Sequence, residues 1–244
     1  MALLEVSGLC KDFGGLHAVS NLSFQVEEGE ILGLIGPNGA GKTTAFNLIA
    51  GFSPPTAGNI VFKGHNLVGL KPYAITRLGL ARTFQIVKPF RQLSVLENVT
   101  LACFLHFPLR KRAEAEARGV LEKVALQGKA EALAADLTLS EQKRLEIARA
   151  LATGPKLLLL DEPMGGLNPT EIDQATGLVC ELCREGVTII WVEHVLKAIM
   201  KASHRVMVIQ HGEKIADASP EEVVKNPEVI AAYLGAGAND HAAN

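Results

Sequence analysis

"GPNGAGKTT", Gly36 to Thr44, is the stretch on which the reading of the whole chain turns. It fits the pattern G-x-x-x-x-G-K-[ST], between a strand-like "ILGLIG" and a helical segment expected from Lys42 to Ala50, which Gly51 and then Pro54 stop. Gly36, Gly39 and Gly41, with Pro37, Asn38 and Ala40 between them, let the backbone turn so that several N–H groups face one anion. The helix start adds the positive end of its dipole. Lys42 is placed to reach the β- and γ-phosphates of a nucleotide, the Thr43 hydroxyl to ligate Mg²⁺, and Thr44 to give a further phosphate contact. A glycine-rich turn with no ligand is the alternative, and the full match between strand and helix argues against it.

A nucleotide site that hydrolyses also needs a carboxylate for the metal and a group that positions or deprotonates water. "LLLLDEP", 157–163, supplies both: an apolar strand delivers Asp161 and Glu162 at its C-terminal end, where α/β sheets place their ligands. Asp161 would act through Mg²⁺ and Glu162 as general base. Taken alone, two acids after a strand read as turn residues or a helix cap; the upstream loop reverses that preference. His194 follows "TIIWVE", so it is expected at the same sheet edge, within reach of the γ-phosphate or the attacking water.

Outward from these motifs, the first part of the chain alternates β-like runs with turns: "LLEVSGL", "LSFQV", "ILGLIG" and "NIVFKG". From about Ser94 to Thr153 the character becomes helical, with a capping pattern at Ser94 and Glu97. "KLLLLD", "VTIIWV" and "RVMVIQ" then read as buried parallel strands separated by helices. Ser219, Pro220 and Glu222 mark one more helix start. The expected fold class is α/β: a P-loop NTPase body of mixed sheet with an antiparallel β part and an inserted helical lobe. The expected limits are one domain over 3–235, with body segments near 3–86 and 154–235, a helical subdomain near 87–153, and a frayed tail over 236–244.

Composition closes off other classes. With 48% hydrophobic and 20% charged residues, neither disorder nor a membrane protein is indicated. The longest uncharged stretch, Thr43 to Phe62, is interrupted by Asn47, Pro54, Pro55 and Asn59 and is not a span. No basic n-region opens the chain, so a cytoplasmic location is expected. A net charge of −2 argues against general attraction to nucleic acid, and none is expected as partner. The basic run Arg110, Lys111 and Arg112 reads as a solvated helix start. Cys180 and Cys183 form a CxxC without a second ligand pair, and read as inert residues on one helix face.

Gly36 to Thr44, Leu157 to Pro163 and His194, in this order, resemble the ATP-binding subunit of an ABC transporter over roughly 3–235. The resemblance implies ATP and Mg²⁺ as ligands, a second ATP-binding subunit, identical or different, and integral membrane permease subunits. It implies a peripheral position on the inner face of the cell membrane. It also implies three residue roles. Phe13 matches the aromatic that stacks on adenine, with a core phenylalanine as the competing reading. Gln85 in "RTFQ" matches the glutamine that senses γ-phosphate and Mg²⁺. "GGLNP", with Asn168 where aspartate is commoner, matches the loop crossing the dimer seam. "RTFQ", "SVLENV", "GGLNP", "VEHVLKAIM" and "VIAAYLG" are most similar to subunits serving branched-chain amino acid importers. Amino acid, amide or urea cargo all fit that subgroup. The permease contact is expected near Gln85 and the apolar residues of "IVKPFRQL".

In this family each ATP is closed over by the other subunit's Leu-Ser-Gly-Gly-Gln motif. The aligned residues here are Leu137, Thr138, Leu139, Ser140 and Glu141, of which only the leucine is unchanged. Thr138 keeps a hydroxyl and Ser140 keeps an N–H for the phosphate. Thr138-x-x-Glu141 is also a capping box, so this helix is expected to satisfy its own first amides. A weaker contact with the second subunit's ATP follows, beside the reading of a benign local variant. Two other functions compete: a soluble ABC ATPase acting on nucleic acid or ribosomes, and a weakly hydrolysing regulatory subunit. The single ATPase half and the intact Glu162 and His194 speak against them, and the missing Asn-Lys-x-Asp motif speaks against a small GTPase.

Overall fold

A computed structural model describes residues 2–85 and 88–240. In chain order the strands and helices begin with β1 (Ala2–Phe13), β2 (Leu16–Glu27) and β3 (Ile31–Ile35), then α1 (Lys42–Ile49), β4 (Ala57–Phe62) and β5 (His65–Asn66). α2 (Pro72–Leu78) and β6 (Leu80–Arg82) lead into α3 (Val95–Cys103), α4 (Arg110–Lys123) and α5 (Leu139–Leu151). β7 (Leu157–Asp161), α6 (Pro169–Arg184), β8 (Thr188–Val192) and α7 (Leu196–Ala202) follow. The described chain closes with β9 (Arg205–Gln210), β10 (Glu213–Ala218), α8 (Pro220–Val223) and α9 (Pro227–Asp240). Of the tail expected to fray, 241–244 lie outside the described residues, as do Ile86 and Val87 of the expected permease contact.

The chain divides into two compact units, residues 1–72 with 188–244, and residues 73–187. The first holds an antiparallel sheet in the order β2-β1-β4-β5 and the strands β10-β9-β3-β8. β3 pairs in parallel with both β8 and β9, and β10 turns back antiparallel on β9. Every residue of β3 and β8 is buried, as expected where both faces of a parallel strand are covered. β2 alternates instead, with Leu22, Phe24 and Val26 buried between exposed neighbours, so its other face meets water.

β1 and β2 run further than the short apolar runs in the sequence. Ser7 and Gly8, inside the run "LLEVSGL", and Asn21, just before "LSFQV", sit in the hairpin at register shifts, with Gly8 at φ 56° and Asn21 at φ 47°. These are bulges, and the Gly8 amide is bonded to Ser23 Oγ at 2.8 Å. On the other edge, a Cβ on Gly58 would lie 2.4 Å from the Gly8 carbonyl oxygen, so β4 closes on β1 only through a glycine.

The second unit pairs β6 with β7 in parallel and carries α2 to α6. The helical region breaks where its sequence caps it. Ser94 and Glu97 form a complete capping box at α3, and α4 starts at the basic run Arg110 to Arg112. Residues 127–129 and 134–136 form two short 3₁₀ turns before α5. β6 was not legible as a strand, since three residues carry no periodicity. All four cysteines are free, and Cys180 and Cys183 are half-buried on α6. Among the described residues no helix is long and apolar enough to cross a membrane.

Candidate active site

In the first unit, Gly36 to Gly41 forms the turn from β3 into α1, and Gly36, Gly39 and Gly41 have φ of 155°, 76° and 104°. Two of these positions are closed to a side chain for a second reason. A Cβ on Gly36 would lie 2.0 Å from the Ile209 carbonyl oxygen, and one on Gly41 2.3 Å from that of Ala18. The loop is therefore wedged between β9 and β2, and a bond from the Gly212 amide to the Ala40 carbonyl at 2.9 Å fixes its far side. Lys42 is buried and folds back over the turn, donating to the Gly36 and Pro37 carbonyls at 2.8 and 2.9 Å. Thr43 is exposed and Thr44 half-buried in the first turn of α1.

His194 lies two residues beyond β8, whose Val192 is in register with Leu34 of β3. His194 and the Gly36 loop leave neighbouring parallel strands at the same end. Its amide donates to the carboxylate of buried Glu193 at 3.1 Å. Phe13 ends β1 with about half its surface exposed, 52%, which removes the core reading, and Lys11 lies 5.0 Å from its ring centroid. Tyr233 on α9 gave no signal in the sequence, yet its hydroxyl shares a hydrogen bond with the backbone of Gly36. Burial raises the Tyr233 phenol above its ordinary value, and that bond partly opposes the rise.

In the second unit, β7 delivers Asp161 almost fully buried at its C-terminal end. Its Oδ2 accepts from the Arg82 guanidinium of β6 at 2.8 Å, and both side chains are nearly inaccessible. Asp161 Oδ1 is buried with no hydrogen-bond partner among the described residues. An ionised oxygen left in that condition is costly, and a hard divalent cation is the ligand that suits it. This one oxygen is a donor of the kind that suits Mg²⁺.

Glu162 adopts φ 50°, the left-handed region that a residue with a Cβ enters at a cost. Its Oε2 accepts from Gln85 Nε2 at 2.7 Å, and its carbonyl accepts from buried Lys143 Nζ at 2.9 Å. Arg82, Lys143 and Glu146, which bonds the Phe84 amide, were absent from the sequence reading because nothing local marks them.

The stretch Thr138 to Glu141 opens α5 as a complete capping box. Thr138 Oγ1 accepts from the Glu141 amide at 3.3 Å, and the Glu141 carboxylate accepts from the Thr138 amide at 2.9 Å. Lys129 lies 3.5 Å from the same carboxylate. The hydrogen bond from the Thr138 backbone is the main influence holding Glu141 below its ordinary value; burial opposes it and Lys129 adds to it. Ser140 is buried in the first turn. Leu139 packs against Gly166, where a Cβ would meet its side chain at 2.9 Å, so the start of α5 touches the "GGLNP" loop. Asn168 caps α6 in a third such box.

A phosphate loop, a buried metal-ready aspartate followed by a glutamate, and a helix start in place of the signature motif define the class. Residues 19–165 match the ABC transporter family model, and the chain belongs to that family. Within it, residues 213–239 match the model of the branched-chain amino acid ATP-binding cassette transporter. The chain is 44% identical over 249 residues to the high-affinity branched-chain amino acid transport ATP-binding protein LivG of Salmonella typhimurium, covering 96% of this chain and 98% of that one. To BraF of Pseudomonas aeruginosa, which has the same description, it is 43% identical with the same coverage. A nucleotide-free ATP-binding cassette from an ABC transporter superposes with a TM-score of 0.87 at 28% identity, over 96% of this chain and 99% of the other.

Proposed function

We propose that this chain is the ATP-hydrolysing subunit of an importer for branched-chain amino acids or chemically related small solutes. It works with a second ATP-binding subunit and with integral membrane permease subunits, at the cytoplasmic face of the membrane. The cargo class is supported by near full-length similarity to LivG and BraF and by the match of residues 213–239.

Gly36 to Thr44 bind the phosphates, with Lys42 moving from its own carbonyls to the β- and γ-oxygens. Phe13 stacks on the adenine, an interaction of about 1–3 kcal/mol per base. Thr43, Gln85 and Asp161 would hold Mg²⁺, which when bound would neutralise charge on the phosphates. Glu162 takes the proton of the attacking water, Gln85 orients Glu162, and His194 donates toward the γ-phosphate. Thr138, Ser140 and Glu141 face the nucleotide of the second subunit. Phe84, beside Gln85, and Phe90, within the stretch expected to meet the permease, are both exposed.

The observation that carries hydrolysis is the Gln85–Glu162 bond at 2.7 Å: the base is oriented by the very residue expected to report on the metal. Glu162→Gln in the assembled transporter is expected to abolish turnover while ATP still binds, because the phosphate cradle is untouched. Wild-type turnover in that variant refutes the assignment. Uptake of labelled leucine by proteoliposomes, with unlabelled leucine, urea and an aliphatic amide as competitors, tests the cargo class; uptake blocked equally by all three refutes it.

A further inference from the structure

Two buried charged side chains one turn apart on α5 reach the backbone on both sides of the Gln85–Glu162 bond. Lys143 and Glu146 are each 8% exposed, and a spacing of three puts them on one helix face. Lys143 Nζ donates to the Glu162 carbonyl at 2.9 Å. Glu146 Oε1 accepts from the amide of Phe84, the residue before Gln85, at 2.5 Å. Between these anchors the Gln85 amide and the Glu162 carboxylate meet at 2.7 Å.

We propose that Lys143 and Glu146 are positioning residues that clamp Gln85 and Glu162 into working register, and that through them α5 links the signature segment Thr138–Glu141 to the catalytic base. This rests on the assignment of Glu162 as the base.

The chemistry of the two anchors suits the task. Glu162 holds a left-handed backbone that its own side chain disfavours, so something outside the residue must fix it. The Glu162 carbonyl accepts from the Gly165 amide at 3.3 Å as well as from the Lys143 ammonium, and the charged donor is the stronger of the two. A buried ammonium is retained only where it is bonded, and this carbonyl is the partner shown for it. Glu146 stays in place although burial pushes its carboxyl upward; the Phe84 amide, Lys143 and Arg149 favour its ionised form, and Asp161 opposes it. Because α5 is one rigid helix, a shift at its first turn moves both anchors together.

The test is steady-state ATP hydrolysis by the assembled transporter carrying Lys143→Met, Lys143→Arg, Glu146→Leu, Glu146→Gln or Glu162→Gln. Lys143→Met keeps the apolar stem and removes the donor; Glu146→Leu removes the acceptor that Glu146→Gln retains. Lys143→Met and Glu146→Leu are expected to lower kcat by about 10- to 100-fold, the range for an ångström-scale misplacement, with KM for ATP within about twofold. Lys143→Arg and Glu146→Gln are expected to recover most of the rate. If Glu162→Gln is inactive while Lys143→Met and Glu146→Leu turn over like the wild type, the clamp is overturned and the base assignment stands. If Glu162→Gln turns over normally, the base assignment falls first and the clamp with it. A parallel fall of kcat, ATP affinity and melting temperature, with no rescue by arginine or glutamine, makes the residues merely structural and also overturns the proposal.

Discussion

Glu141→Gln takes one charge out of the first turn of α5 and leaves an oxygen that can still reach the Thr138 amide. Two contributions are lost. The carboxylate's interaction with the positive end of the helix dipole stabilises by about 0.3–1 kcal/mol. The Lys129 contact, at 3.5 Å with the lysine half-exposed, adds a few tenths at most, about 0.2–0.5 kcal/mol after solvent screening. The sum is about 1 kcal/mol, which for a chain of this size lowers the melting temperature by about 2–4 °C. The pH dependence has a definite sign. Glu141 titrates below its ordinary value of 4.5 in the folded chain, so its stabilisation is complete above the unfolded value and is lost as pH falls through the folded one. Wild type and variant should therefore differ at pH 7, begin to approach each other as pH falls below about 4.5, and coincide only below the depressed folded value.

The same change should act oppositely on assembly. In the wild type the Thr138 and Glu141 amides at the start of α5 are bonded to the cap's own side chains, and the carboxylate would repel an incoming phosphate. Glu141→Gln with Ser140→Gly, in the non-hydrolysing Glu162→Gln background, should shift ATP-driven association to lower protein concentration, measured by sedimentation. Unchanged association there, together with an unchanged ATPase rate when the two changes are made with Glu162 intact, refutes the reasoning about the second subunit's nucleotide. A pH-independent stability difference refutes the account of the cap.

Arg82→Met strands the buried Asp161 carboxylate and should cost about 3–5 kcal/mol in urea unfolding, whereas Arg82→Met with Asp161→Leu should cost clearly less than Asp161→Leu and Arg82→Met summed. Gly41→Ala meets both a φ of 104° and the Ala18 carbonyl at 2.3 Å; a lower melting temperature and loss of nucleotide binding by calorimetry are expected together. Cys103, raised to about 11 first by burial and then by the Glu116 carboxylate, should resist iodoacetamide at pH 8 in the native protein and react once unfolded in urea. Chelating Mg²⁺ should stop turnover while fluorescent ATP analogues still bind more weakly than with the metal present.

What the sequence made legible was whatever depends on near neighbours. The turn at Gly36 to Thr44, the boxes at Ser94, Thr138 and Ser219, and the buried strands at 157–161 and 188–192 are all written within a few residues. The proposed adenine-stacking role of Phe13 and the proposed role of Gln85 came only through family resemblance. Arg82 with Asp161, Lys143 with Glu162 and Glu146 with Phe84 stayed hidden because each pair is distant in the chain and joined only by tertiary packing. A lysine or glutamate on a helix reads as a solvated face until its neighbours are known. β1 and β2 were read short for a different reason, since residues 10–13 and 16–21 mix polar and apolar side chains without a clean strand pattern.

With Glu162 as the proposed base, its left-handed backbone would set stability and turnover against each other at a single position. Asparagine and glycine enter that conformation more readily than glutamate does. A library screened for heat resistance alone would drift toward them there, and its winners would be robust subunits unable to drive a transport cycle.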